Sequence, residues 1–221
     1  MDWFPLFNSL RIALLSAVIT FAIGITVAYY ATNFSAWAKS LCDIIFTLPL
    51  VLPPTVIGFF LLKLLGPQQV LGKFFLKYFD WQIIMTPSAS VFATVIVTLP
   101  LLYRTARGAF ESFDPQLKYA AQTLGLSNSR IFWTIQLPTC KSGILAGCVL
   151  AFARALGEYG ATGMVSGYTP GKTATISTTV YQLWRIGDDR GAYTWVAINI
   201  LISCIVLFSL NRLQQTDKKV L

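Results

Sequence analysis

Five stretches of this 221-residue chain are apolar for long enough to cross a lipid bilayer, which takes about 20 helical residues. They run over roughly residues 10–31, 42–65, 87–104, 142–165 and 193–212. In hydrocarbon, backbone N–H and C=O groups find no water, so each stretch must satisfy its own hydrogen bonds as a helix. Composition agrees: 55% of residues are hydrophobic, 12% are charged and the mean hydropathy is +0.64. A soluble domain would be about a quarter charged. The expectation is an all-α integral membrane protein with one five-helix domain over 5–212 and a short tail at 213–221.

Charge gives the expected orientation. The connection 105–141, with Arg104 at its edge, carries Arg107, Lys118, Arg130 and Lys141. Placed in the cytoplasm with Lys39 and with Arg212, Lys218 and Lys219, it gives nine cations inside against seven outside, with Arg154 left within a span. The bias favours the N-terminus out and the C-terminus in. The net charge of +8 is scattered between greasy segments rather than gathered on one face, so it does not point to nucleic acid. Arg11 is the first cation and no small-residue cleavage site follows the first run, which reads as a retained span rather than a signal peptide.

The chain has no histidine, which removes His-based triads, proton shuttles and zinc sites. Cys42, Cys140, Cys148 and Cys204 lie in or beside apolar runs without a C-x-x-C pair, so they read as small hydrophobes with no disulfide implied. No metal site is expected.

Within 105–141, Leu117, Ala120, Ala121 and Leu124 fall on one face of an amphipathic helix, with Gly125 as its stop and Ser127-Asn128-Ser129 starting another. Residues 120–138 read AAQTLGLSNSRIFWTIQLP: an Ala pair, Gly125, then Ile135 and Leu137-Pro138. This spacing resembles the "EAA" loop of the permease subunits of bacterial ABC importers. The resemblance implies a coupling helix, formed by Leu117, Tyr119, Ala120, Ala121, Leu124 and Gly125, that docks into an ATPase subunit. The family's Glu falls on Tyr119 here, preceded by Lys118, so the resemblance implies no ion pair at that position.

The second stretch contains Pro49, Pro53 and Pro54. Prolines remove helix hydrogen bonds, so this span must bend or break, which lipid tolerates only against protein or a water-filled cavity. Broken helices are where transporters place pathways, although a kink can equally serve bundle packing. The fourth stretch carries Gly143, Gly147, Ala151 and Ala155 at i, i+4 steps, a seam for close helix contact. Arg154 and Glu158 lie one turn apart beside it and can pair. Charges at membrane depth cost at least ~2.5 kcal/mol each, so the pair should face the bundle interior or a polar cavity. It reads either as a path or gate element for an anion or as a structural ion pair.

The segments AFARALGEYGAT at 151–162 and YTPGKTATISTTVY at 168–181 narrow the resemblance. Together with LPLVLPP, Val56 and Gly58 they resemble the permease subunits of molybdate importers over roughly residues 5–212. Sulfate permeases share the FAR-x-x-GE core. The resemblance implies a type I importer transmembrane domain in the bacterial cytoplasmic membrane. It implies a homodimer surrounded by lipid, two ATPase subunits at the cytoplasmic face and an extracytoplasmic oxyanion-binding protein. ATP and Mg would sit on the ATPase, and this chain would bind no cofactor. Gly171-Lys172-Thr173 mimics the end of a phosphate loop, but the required first glycine falls on Ser166.

The function expected is therefore non-enzymatic, ATP-driven import of an oxyanion, molybdate first and sulfate or tungstate next. An ion-driven secondary carrier is the rival, but Glu158 is the one acidic residue well inside an expected span, a poor basis for a relay. A membrane enzyme would need a catalytic inventory that these residues do not supply.

Overall fold

The computed structural model describes residues 2–218, with side chains through Phe208. Among them the chain is helical and contains no strand. In order the elements are α1 (Phe4–Ala31), α2 (Ala36–Val51), α3 (Pro54–Leu65), α4 (Val70–Phe79), α5 (Pro87–Glu111) and α6 (Pro115–Thr123). There follow α7 (Asn128–Ile131), a π-helical turn (Phe132–Gln136), α8 (Leu137–Thr139), α9 (Lys141–Leu156), α10 (Gly160–Ser166), α11 (Ile176–Arg185) and α12 (Asp189–Lys218).

Five spanning helices were expected, the second bent or broken at its prolines, and the structure corrects the count. Among the described residues three helices are long and apolar enough to span: Phe4–Ala31, Pro87–Glu111 and Asp189–Phe208. The second expected span is a bent pair, with α2 and α3 meeting at 110°. The cause is local. A residue before proline is driven to extended backbone, and Leu52 (ψ 140°) precedes Pro53 (ψ 137°), which precedes Pro54. Pro54 then occupies the first turn of α3, where its missing N–H costs nothing. The fourth expected span is also broken. It ends at Leu156, passes through Gly157 to Tyr159 and restarts as α10. On its other side the α7–α8 segment meets α9 at 72°.

The connection expected over 105–141 is shorter than that, because α5 runs on to Glu111 and most of the remainder is helical. Lys219 lies outside the described residues, as do the side chains of Arg212 and Lys218, so the cations assigned to the tail are not located. The backbone of α12 itself stays helical to Lys218.

Helix α5 is the hub, packed against α1, α9, α10 and α2. Small residues let the backbones close up. A Cβ on Gly143 would lie 2.7 Å from that of Ala109, and one on Gly147 would run into the Thr105 hydroxyl. The expected small-residue seam of α9 is therefore its contact with α5, and Ala155 extends it to Ala13 of α1. Buried hydroxyls add polar ties between helices, with Thr20 and Thr98 3.1 Å apart and Ser90 and Ser166 2.6 Å apart.

Candidate functional site

At 25 residues, α5 is about 37 Å long, and the functional candidates gather at its two ends.

At its C-terminal end stands α6, joined to Glu111 by Ser112, Phe113 and Asp114. Asp114 caps α6 by accepting the Gln116 N–H at 2.9 Å, and Pro115 fills the first helical position. The helix ends in a Schellman motif: the Leu126 N–H donates to Ala121 O at 3.2 Å and the Gly125 N–H to Gln122 O at 2.9 Å. Gly125 adopts φ +78°, a left-handed conformation that glycine takes without strain. Of the expected apolar face, Ala121 alone is buried. Leu117, Tyr119, Ala120 and Leu124 are exposed, Leu124 by 81%. The helix thus turns apolar side chains away from its own protein.

Beside this end the sequence reading missed a polar cluster. Lys39 and Asp43 sit one turn apart on α2; Arg107 and Glu111 sit one turn apart on α5. The helices run antiparallel, so Lys39 pairs with Glu111 and Asp43 with Arg107, while Arg107 Nε reaches Glu111 Oε1 at 3.1 Å. The Tyr103 hydroxyl donates to Asp43 Oδ1 at 2.7 Å, and its ring lies 5.3 Å from that of Phe46. A cavity of about 530 Å³ opens alongside, lined in part by Asp43, Thr47, Tyr103, Arg104, Arg107 and Glu111. The complementary i, i+4 pairs near two helix ends were the available signal.

At the N-terminal end of α5, the bent span and the broken one meet. A Cβ on Gly160 would lie 2.9 Å from Pro54 Cβ, and one on Gly58 would lie 2.6 Å from Met164 Cβ. Ile57, Leu61 and Leu65 of α3 share a buried cluster with Ala161 and Val165 of α10 and with Ala89, Ala93 and Val97 of α5. Glu158 is buried just ahead of α10. Its Oε1 accepts the Ala161 N–H at 2.8 Å, and its Oε2 meets Arg154 NH1 at 2.6 Å. The structure therefore brings Pro54 and Glu158 to the same short helix. Pro53 is exposed at the bend, and Pro49 lies within α2, apart from that contact. The Arg154 side chain is 35% exposed against 1% for Glu158, so the arginine is the member of the pair that can meet solvent or solute.

The Gly171-Lys172-Thr173 segment is a tight turn. The N–H groups of Lys172, Thr173 and Ala174 all donate to Thr169 O, which leaves none of the three for a phosphate. Asn8 Nδ2 donates to Ala174 O, and Ser9 accepts the Ile176 N–H, fastening this turn to the start of α1.

Residues 20–219 match the family of binding-protein-dependent transport system inner membrane components. The chain belongs to this family. A molybdenum transport system permease protein, ModB, from Escherichia coli K12 is 36% identical over 93% of this chain and 90% of its own. A ModB from Haemophilus influenzae is 39% identical over 90% of this chain and 87% of its own. A sulfate transport system permease protein, CysW, from Synechocystis is 31% identical over 92% of this chain and 73% of its own. The inward-facing MetNI methionine ABC transporter matches in fold with a TM-score of 0.74 at 15% identity, covering 96% of this chain and 94% of that one. A bacterial ABC transporter that imports alginate gives 0.78 at 18% identity, covering 96% and 78%. The fold is that of an ABC importer transmembrane domain, and the protein is a multi-pass membrane component of a transport system.

Proposed function

We propose that this chain is the permease subunit of an ATP-driven importer of an oxyanion, molybdate first, in the bacterial cytoplasmic membrane. The observation that carries this is the similarity, over nine-tenths or so of both chains, to permeases named for molybdenum transport. It exceeds the identity to the sulfate permease CysW and covers more of the relative's length. Two copies would enclose the pathway, two separate ATPase subunits would hydrolyse ATP, and an extracytoplasmic binding protein would deliver the anion. This chain then carries no catalytic group and no cofactor of its own.

In this reading each bent pair counts as one span, giving five with the N-terminus outside. The α6 end of α5 is cytoplasmic, and α6 is the coupling helix. Its exposed Leu117, Tyr119 and Leu124 support that role, since apolar side chains facing away from the chain are suited to a groove on a partner. The α10 end lies toward the outside, where Pro53, Pro54 and Arg154 are the gate or path candidates and Glu158 holds Arg154. ATP-driven closure of the partners would pull α6 and switch the bundle between inward- and outward-open states.

The test is oxyanion competition in vesicles carrying the assembled complex. Molybdate uptake should require ATP, resist an uncoupler and be inhibited by molybdate and tungstate at concentrations where sulfate has little effect. Stronger inhibition by sulfate would reassign the substrate. Uptake abolished by the uncoupler but indifferent to ATP depletion would replace the ABC reading with a secondary carrier.

A further inference from the structure

The Lys39–Glu111–Arg107–Asp43 cluster is placed where a mechanical link is needed. Helix α2 contains no fully buried residue, so little apolar packing fixes it along the bundle. Its hold on α5 includes this ladder, the Tyr103–Asp43 hydrogen bond, the Phe46–Tyr103 ring contact and the half-buried Cys42. Its far end, by contrast, continues through the 110° bend into α3, which is buried against α10. Glu111 is the last residue of α5, and three residues separate it from α6. Displacement of α6 therefore reaches the ladder through three residues of chain, as well as reaching α7 and the π-helical turn that α6 also touches.

Taking α6 as the coupling helix, we propose that Lys39, Asp43, Arg107 and Glu111 form a strap. The strap passes movement of α6, through the last turn of α5, to the bent α2–α3 unit. The chemistry suits a link that must hold in one state and yield in another. All four side chains are partly exposed, and such ion pairs hold less tightly than packed apolar contacts. They are also directional: Asp43 accepts from Tyr103 and pairs with Arg107 at once, so α2 has one favoured register on α5. A slide by one turn would set Lys39 opposite Arg107 and bring like charges together. The strap thus has two outcomes, engaged or released, rather than a continuum of positions. These are positioning residues, and none is assigned contact with the anion.

The assembled complex tests this with two readouts, backbone amide exchange over residues 36–51 and anion transported per ATP hydrolysed. Arg107→Glu sets three carboxylates together. It should speed exchange in α2 by about tenfold. Transport per ATP should fall about fivefold while hydrolysis continues. The four-fold reversal K39E/D43R/R107D/E111K rebuilds the ladder with opposite polarity and should return both quantities to near wild type. Wild-type exchange and coupling in Arg107→Glu would overturn the strap. So would a four-fold variant that recovers exchange but not coupling, because the ladder would then hold α2 without transmitting anything. Should the unaltered complex move no oxyanion with ATP, the functional reading fails. The exchange measurement still decides whether the ladder fixes α2 on α5.

Discussion

Glu158 holds Arg154 with one carboxylate oxygen and the Ala161 N–H with the other, at 2.6 and 2.8 Å. The asymmetry of exposure predicts an asymmetry of mutation. Arg154→Gln leaves a carboxylate that is 1% exposed with one backbone donor and no counter-charge. Glu158→Gln leaves an arginine that is 35% exposed and can be hydrated, and the amide oxygen of the substituted side chain at 158 can still accept from the Ala161 N–H. Stranding a fully buried charge costs roughly 3–5 kcal/mol, the range expected for Arg154→Gln, while the hydrated arginine left by Glu158→Gln should cost less. Thermal unfolding in detergent should rank Arg154→Gln below Glu158→Gln, with the double variant closer to wild type than Arg154→Gln alone. Equal losses in the two single variants would show that the exposed arginine is no better tolerated alone than the buried carboxylate, and the asymmetry would fail.

Leu124→Glu separates folding from docking. The side chain is 81% exposed and buries no core surface, so its replacement should change stability by no more than about 0.5 kcal/mol. In the assembled complex the same change puts a charge into the face assigned to the ATPase. Co-purification of the ATPase subunit should drop, with expression of the permease unchanged. Undiminished assembly would move the docking surface elsewhere on the 112–140 connection.

Gly125 offers a graded version of this test. Its φ of +78° costs a residue with a Cβ about 1–2 kcal/mol, although no atom lies near enough to clash. Proline cannot adopt that φ and also removes the N–H bonded to Gln122 O. Asparagine tolerates the left-handed region best after glycine. Transport per ATP should therefore fall in the order Gly, Asn, Ala, Pro while the protein stays in the membrane. Full ATP-driven uptake by Gly125→Pro would remove α6 from the coupling route.

Two glycines on facing helices give opposite expectations. A Cβ on Gly147 meets the Thr105 hydroxyl and comes within 2.9 Å of Leu102 Cδ1, so Gly147→Ala overpacks the α5–α9 contact at about 1–3 kcal/mol. A Cβ on Gly108, inside α5, meets nothing within 4 Å. Gly108→Ala gains helix propensity worth roughly 0.5–1 kcal/mol. Melting temperatures in detergent should shift down for the first variant and slightly up for the second.

The apolar runs, the small-residue seam and the stop at Gly125 were legible because each follows from local composition and periodicity. The prolines announced that the second span would not be straight. Their sequence carried no angle, since 110° is set by what α3 finds to pack against. The break after Leu156 was hidden because Gly157 sits in an apolar stretch that reads as continuous helix. Glu158 was visible as half of a pair, but its capping of α10 was not, because that helix was not expected. The ladder of Lys39, Asp43, Arg107 and Glu111 escaped for another reason. Its cross-helix partners are 64 and 72 positions apart, and only the antiparallel register of α2 on α5 makes them neighbours.

That the bend is held by packing rather than by proline can be tested directly. In Pro53→Ala/Pro54→Ala nothing forbids a continuous helix from α2 into α3, and alanine favours one. Straightening would pull Ile57, Leu61 and Leu65 out of their buried contact with Ala161 and Val165. Exposing three aliphatic side chains costs about 1.5–3 kcal/mol each, although lipid would recover part of that for a span in the membrane. Relaxing two prolines already compatible with the native backbone costs only about 0.4–1 kcal/mol each. The double alanine variant should therefore fold with the bend intact and a small loss of thermal stability. Gly58→Leu should do more damage, because its Cβ would lie 2.6 Å from Met164 Cβ and 3.1 Å from Ala161 O, forcing α3 off α10. Amide exchange across residues 54–65 reports the difference: near wild type in the alanine variant and markedly faster in Gly58→Leu. The reverse order would make the two prolines, rather than the α3–α10 contact, the determinant of the bent span.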